Sequence, residues 1–373
     1  MFLVSEYTEA LLARLSAAGY ARVEPPILQP AAIFFDSGEE LRGRLYLTAD
    51  ESGADYCLRP EYTIPVSRHY LASPQAGERA AFSYLGPVFR FRAGDKNEFI
   101  QAGIESFGRL DREAADAEIL TLALEAARLA PVPKLTIRIG DTALFSGLLE
   151  ALDLAPQWRR RITRGHIQGK SLSAILNAPL NDQGRDHSGV LALLDGADKK
   201  GARALVEDLL SIAGIAAVGG RTPAEIADRF LEQAAIRTGA GLSEEKAAIL
   251  EAFLGVEGDP DEAAKALRIL ARDAGLDLAA ILDSFDLRLG FIAALGLDVA
   301  SLSFATAFTR NLDYYTGFVF EAFDAADPAG RPLAGGGRYD QLLQTLGAGR
   351  AIPAVGAALW IDRLSPASGG VRS

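Results

Sequence analysis

Between Ser5 and Ala18 the apolar residues Leu11, Leu12, Leu15 and Ala18 fall on one side of a helical wheel, with Ser5 placed to cap the first turn and Gly19 to end the run. An amphipathic helix over 5–18 is therefore expected. The period then shortens. Apolar or alternating runs at 45–48, 56–58, 80–92 and 99–108 have the character of strands, and the polar stretch Ala93 to Glu98, which contains Gly94, joins the last two as an antiparallel hairpin. Helical periodicity returns over 111–129, opened by Asp111 with acidic residues in its first turn; a strand at Lys134 to Ile139 and a helix capped by Asp141 follow.

From about 165 the texture changes to Ala- and Leu-rich segments at 201–213, 223–235, 243–254 and 260–274, separated by Gly, Asp and Pro. This predicts a helical insertion over 166–297 within a discontinuous core built from 1–165 and 298–373. Strand character resumes at 302–309 and 317–323, where apolar residues occupy both faces, as buried central strands require. Helices are expected near 338–346 and 353–364, and Ser365 to Ser373 reads as a frayed end. No internal repeat or heptad array is present.

Composition narrows the classes. At 373 residues and 49% hydrophobic, the chain can bury one large core and a second body. Charge interrupts every apolar stretch before the roughly 18 residues of a membrane span, and Glu6, Glu9 and Arg14 stand where a signal peptide would be apolar, so a cytoplasmic protein is expected. Cys57 is the single cysteine, which excludes an internal disulfide and a multi-cysteine zinc site. The net charge is −11, and 181–290 holds 20 acidic against 12 basic side chains, which argues against nucleic acid as a partner of that segment. The cluster Arg159, Arg160, Arg161, Arg164 and Lys170 reads as a solvated helix end, with a local basic groove as the other reading.

Most enzyme signatures fail. Gly165 to Ser171 imitates a phosphate-binding loop, but its glycines are one residue too close and no strand precedes it. His69, His166 and His187 lack metal-ligand spacing, which leaves surface or capping roles. No nucleophile elbow or dinucleotide fingerprint occurs. No metal, cofactor or catalytic residue is expected. The run Gly335 to Gly337 requires a tight turn or a close backbone approach. What stands out is polar clusters in strand-like surroundings: Arg59-Pro60-Glu61-Tyr62-Thr63, Gly86-Pro87-Val88-Phe89-Arg90, Gln101-Ala102-Gly103-Ile104-Glu105, Arg310 to Tyr315, Gly335 to Asp340, and Pro353 to Gly356, continuing to Ile361-Asp362-Arg363-Leu364.

In this order the clusters resemble the histidyl-tRNA synthetases of class II. Gly86 to Arg90 and Gln101 to Glu105 match motif two and the segment after it, Arg310 to Tyr315 and Gly335 to Asp340 match the histidine signatures, and Pro353 to Leu364 matches motif three. The resemblance runs from about residue 5 to 364 and weakens through the insertion. It implies an α+β fold, a class II aminoacyl-tRNA synthetase-like antiparallel sheet flanked by helices, with a helical insertion and no anticodon-binding domain. It also implies a histidine pocket in which Glu61, Thr63 and Gln101 face the α-amino group, Arg310 the carboxylate, and Glu105, Tyr315 and Tyr339 the imidazole; Tyr314 lines the pocket or packs in the core. Histidine presents an ammonium, a carboxylate and a polar ring, so acceptors, a cation and a polar clamp are the required set. Arg90 and Arg363 resemble the two motif arginines that hold ATP, and Pro26 resembles the motif-one proline near a homodimer interface.

Three departures separate the chain from an aminoacylating enzyme: only 365–373 follow Leu364, where the family carries its tRNA-reading domain; Phe91 to Glu98 replace a longer basic loop; and Arg310-Asn311 replaces Arg-Gly. A retained histidine pocket with the tRNA machinery removed is the pattern of the paralogous regulatory subunits of ATP phosphoribosyltransferase. This likeness implies a hetero-oligomer with a short-form catalytic subunit, L-histidine as ligand and feedback effector, and a homodimeric core, without tRNA or membrane. The alternatives left open are a stand-alone histidyl-adenylate-forming enzyme and an adaptor whose pocket is inherited structure.

Overall fold

The structure, a computed structural model, describes residues 6–35, 39–94, 96–131, 134–177, 204, 208, 242–310 and 312–364. The Ser5 cap, most of the expected helix 201–213, the expected helix 223–235, His187, Asn311 and the tail 365–373 lie outside these residues. The chain divides into two compact units, Met1–Ala151 with Ala252–Ser373, and Leu152–Glu251.

The first unit is built on strands β1 (Ala21–Arg22), β2 (Leu28–Pro30), β3 (Leu47–Ala49), β4 (Asp55–Leu58), β5 (Ala80–Phe89), β6 (Glu98–Phe107), β7 (Leu135–Asp141), β8 (Glu257–Gly258), β9 (Leu302–Ala305), β10 (Phe318–Asp324), β11 (Ala334–Arg338) and β12 (Ala354–Trp360). Nine of them form one sheet in the order β1-β5-β6-β12-β11-β10-β7-β9-β8, and β2-β4-β3 form a small second sheet. All pairs are antiparallel except β1 with β5 and β7 with β9. The expected hairpin is present as β5 and β6, in register from Ala80 opposite Phe107 to Phe89 opposite Glu98.

Two expected helices are corrected. Residues 354–360 form β12, between β6 and β11, and only Ile361–Leu364 turn into a helix. The Ala and Leu content favours helix, but Ala354, Val355, Gly356, Ala357 and Leu359 are all buried, and a segment apolar on both faces satisfies its backbone best between two strands. Over 338–346, Arg338 ends β11 and the helix shortens to Leu342–Thr345. The triple glycine lies inside β11 because neighbouring strands approach closely: a Cβ on Gly336 would collide with the carbonyl oxygen of Gly356, and one on Gly337 with that of Phe318.

The Arg112–Arg128 helix packs on β6, β10, β11 and β12 and against the Ala279–Ala294 helix, and its Ala- and Leu-rich sequence is buried almost all round. Arg288 pins the two helices together. Its Nε donates to Asp116 (2.8 Å) and its Nη1 to Asp141 (2.7 Å), and Arg338 pairs with Asp340 (2.8 Å) and lies 2.7 Å from Asp116. The helices Pro260–Asp273 and Ala279–Ala294, which the sequence texture grouped with the insertion, thus belong to the first unit. Among the described residues no helix is long and apolar enough to cross a membrane.

In the second unit Gly165 to Ile167 complete the Pro156–Ile167 helix, so this segment is no phosphate loop; Gly165 packs on Ile175, and Arg161 donates to the Ile175 carbonyl (2.9 and 2.6 Å). His166 is buried, contrary to the expected surface or capping role, and burial pushes its pKa down to about 4. The apolar face that Ile162 shares with this position accounts for that burial. His69 is exposed and edge-on to Phe82 at 5.6 Å.

Candidate functional site

One face of the large sheet carries the site. Residues two apart on a strand share a face, so Gln101, Gly103 and Glu105 of β6 stand beside Gly356, Ala358 and Trp360 of β12, with Glu105 opposite Gly356 and Gln101 opposite Trp360. Gly335 and Gly337 continue the face on β11, opposite Ala358 and Gly356. The glycines leave room above the sheet. A Cβ on Gly356 would strike the Glu105 carboxylate, and one on Gly335 would stand 3.0 Å from the Arg310 guanidinium carbon.

Above this floor lies a cavity lined by Glu61, Thr63, Arg90, Gln101, Arg310, Tyr314, Tyr315, Tyr339 and Trp360, among others. Seven of the eight residues expected from the sequence line it. The eighth, Glu105, is fully buried beneath, where its carboxylate accepts from Thr63 Oγ1 (2.8 Å) and from the Tyr339 hydroxyl. Burial raises the Glu105 pKa to about 8, and the nearby Glu61 carboxylate acts in the same direction, against the lowering influence of the two hydrogen bonds. Glu61 is also raised by burial. Its oxygens accept from the backbone N–H groups of Thr63 (2.6 Å) and Ile64 (2.9 Å) at the start of the Thr63–Leu71 helix, an anion at a helix N-terminus.

Arg310 is one of two cations that line the cavity, with Arg90. Its Nε donates to Glu321 Oε1 at 3.2 Å, its Nη1 to the Tyr315 hydroxyl at 2.9 Å, and its Nη2 lies over Gly335. Burial lowers its pKa, but Tyr315 and Glu321 outweigh burial and hold it up as a charged group. The Tyr314 ring meets Tyr339 edge-on at 5.7 Å and Tyr315 at 4.8 Å, joining the pocket wall to the core.

A second, more open cavity adjoins the first, sharing Arg90, Arg310, Leu312 and Trp360 and adding Arg44, Glu321 and Arg363. Arg90 and Arg363, the pair resembling nucleotide-holding arginines, both line it. Each is engaged within the chain: Arg90 Nε donates to the Pro60 carbonyl (2.6 Å), and Arg363 donates to the Pro332 carbonyl and stacks on the Trp360 indole at 4.7 Å. Burial pulls the Arg90 pKa down to about 10, opposed by Glu61.

Trp360 and Glu321 are residues that sequence reasoning did not single out. Their signal was faint: Trp360 ends an apolar run that reads as helix, and Glu321 lies inside a strand of aromatic residues. Among the described residues no group of three or more His, Cys, Asp or Glu is placed to hold a metal ion.

The chain's likeness to known proteins agrees with this fold. The family model described as histidyl-tRNA synthetase matches residues 3–219 and 201–364. Proteins from Brucella canis and Brucella suis named ATP phosphoribosyltransferase regulatory subunit are 41% identical over 367 residues, covering 96% of this chain and 96% of theirs. A solved Bacillus halodurans structure, titled ATP phosphoribosyltransferase regulatory subunit/histidyl-tRNA synthetase, superposes with a TM-score of 0.67 at 21% identity, over 98% of this chain and 78% of that one, and attests the class II synthetase fold. A histidine–tRNA ligase subunit from Alicyclobacillus acidocaldarius matches with a TM-score of 0.53 at 25% identity, over 98% of this chain and 93% of its own.

Proposed function

We propose that this chain, which belongs to the histidyl-tRNA synthetase family and within it to the ATP phosphoribosyltransferase regulatory subunits, binds L-histidine in the buried pocket and conveys its presence to a short-form catalytic subunit that joins ATP to phosphoribosyl pyrophosphate. The chain itself is non-catalytic in this reading, and the assembly is a cytoplasmic hetero-oligomer around a homodimeric core that performs the first step of histidine biosynthesis under feedback by histidine.

The observation that carries the reading is one cavity combining guanidinium groups, Arg310 and Arg90, with carboxylates at Glu61 and beneath it at Glu105, and phenols at Tyr314, Tyr315 and Tyr339. A free amino acid with a polar ring uses every element of that set. Its ammonium takes Glu61, Thr63 and Gln101, its carboxylate Arg310, and its imidazole Glu105, Tyr315 and Tyr339. Glu61 already accepts two backbone N–H groups, but each carboxylate oxygen has a further lone pair. The exposure of Ile27 (42%), Leu28 (48%) and Leu47 (60%) near Pro26 supports the homodimeric core.

Histidine regulates the partner only through different affinities for two states of the assembly, and a coupling of about 1–3 kcal/mol is the usual size of such an effect. The deciding experiment runs ATP–pyrophosphate exchange with the purified chain beside a phosphoribosyltransferase assay with and without the short catalytic subunit. The expected result is no exchange, with partner activity that depends on this chain and responds to histidine. The arginine-lined second cavity favours an adenylating enzyme as the other reading, and robust histidine-dependent exchange would install it instead.

A further inference from the structure

Trp360 ends β12 directly opposite Gln101 of β6, on the strand face that carries the pocket. It is 6% exposed, and among the described residues its indole N–H finds no hydrogen-bond acceptor. Gln101 is 2% exposed, and among the described residues its side-chain carbonyl oxygen has no donor. Buried polar atoms are almost always paired, because stripping one of water without replacement is costly. Here two orphans of opposite sign, one donor and one acceptor, belong to residues paired across β6 and β12 that both line one cavity. A zwitterion supplies the complement of both: its ammonium donates to Gln101 Oε1, and its carboxylate accepts from the indole.

We infer that Trp360 is a ligand-contacting specificity residue of this pocket, donating its indole N–H to the carboxylate of the bound amino acid beside Arg310; the inference rests on the reading of the cavity as a histidine site. The indole nitrogen is a donor only, so it has nothing to offer an ammonium. Arg310 lies 5.8 Å from the indole centroid, so the same carboxylate comes within reach of both. The ring is fixed by the Arg363 guanidinium stacked on it at 4.7 Å and by the backbone hydrogen bond from Trp360 N–H to the Leu333 carbonyl at 2.9 Å. A planar side chain held in this way discriminates by geometry as well as charge: it presents a preorganised donor to a carboxylate and leaves a hydroxymethyl group in its place with a weaker neutral acceptor.

The test uses the full chain and Trp360→Phe, which keeps the stacked ring and removes the N–H. Calorimetric titration with L-histidine and with L-histidinol, which lacks the carboxylate, is compared between the two. Expected are a loss of about 5- to 50-fold in histidine affinity and less than about a 2-fold change for histidinol, with thermal unfolding unchanged. Equal histidine affinity in both proteins overturns the inference, as does the same loss for both ligands. Failure of the unaltered chain to bind histidine at all instead removes the pocket reading on which the inference stands. A second readout does not depend on altering the site. The chain has two tryptophans, Trp158 and Trp360, so Trp158→Phe leaves Trp360 as the sole indole emitter. Histidine should shift its emission, and calorimetric binding without that shift overturns the contact.

Discussion

The Tyr339 hydroxyl donates a hydrogen bond to Oε2 of Glu105, 234 positions away in the chain. Glu105 reaches it only because Gly356, its partner across β6 and β12, has no side chain to block the way. The buried carboxylate of the pocket floor is thus held from two sides, by Tyr339 and by Thr63.

Removing one holder should expose the cost of that burial. Tyr339→Phe deletes the hydroxyl while keeping the ring that packs against Phe107 and Tyr314. A loss of about 1–3 kcal/mol in urea-unfolding stability is expected. A change below about 0.5 kcal/mol would mean the bond contributes nothing net.

Glu105 also sets a pH dependence. Its folded pKa of about 8 lies above that of an unfolded glutamate, so the ligand-free folded state holds a proton that the unfolded state has released between those values. The groups facing it, Glu61, Tyr84, Tyr339 and Thr63, include no cation to stabilise its charge. Stability from this group is therefore fully present below about pH 4.5 and is lost as pH rises through about 8. Relative to Glu105→Gln, the unaltered chain should lose on the order of 2–4 kcal/mol between pH 5 and 8. Denaturation curves at three pH values test this; parallel pH profiles for the two proteins would contradict it.

Two glycine-to-alanine substitutions should move in opposite directions. At Gly356 the added methyl meets the Glu105 carboxylate and the Ile104 carbonyl in the middle of the sheet, so Gly356→Ala should unseat the pocket floor and cost about 1–3 kcal/mol, with histidine binding lost. Gly290, inside the Ala279–Ala294 helix, has open space where a Cβ would stand, and Gly290→Ala should add about 0.5–1 kcal/mol by helix propensity alone. Thermal melts of both, with histidine titration of the first, decide it.

The charged network should show a similar contrast. Arg288→Ala leaves the buried Asp116 and Asp141 without this partner and should destabilise by about 3–5 kcal/mol. Arg268→Ala removes a cation that pairs with the exposed Asp283 and Asp286 and should cost less than about 1 kcal/mol. Equal effects would mean that burial of the network is not what gives it weight.

The residues of the pocket were legible in the chain because each brought a chemical type that a core does not otherwise tolerate: Glu61, Gln101, Glu105 and Arg310 are polar or charged within strand-like runs. The hairpin of β5 and β6 and the Arg112–Arg128 helix were legible for another reason, since turn chemistry and a 3.6-residue period are local properties. What the chain alone left undecided was whatever depends on partners distant in sequence. Ala354 to Trp360 has the composition of a helix and becomes a strand because β6 and β11 stand on either side to pair with it. The glycines of β11 gave no sign of whether they turn or approach, and only the proximity of Gly356 and Phe318 settles that they approach. Trp360 and Glu321 became visible only once the sheet was assembled, because the partners they meet, Gln101 and Arg310, come from segments that no local pattern brings to them.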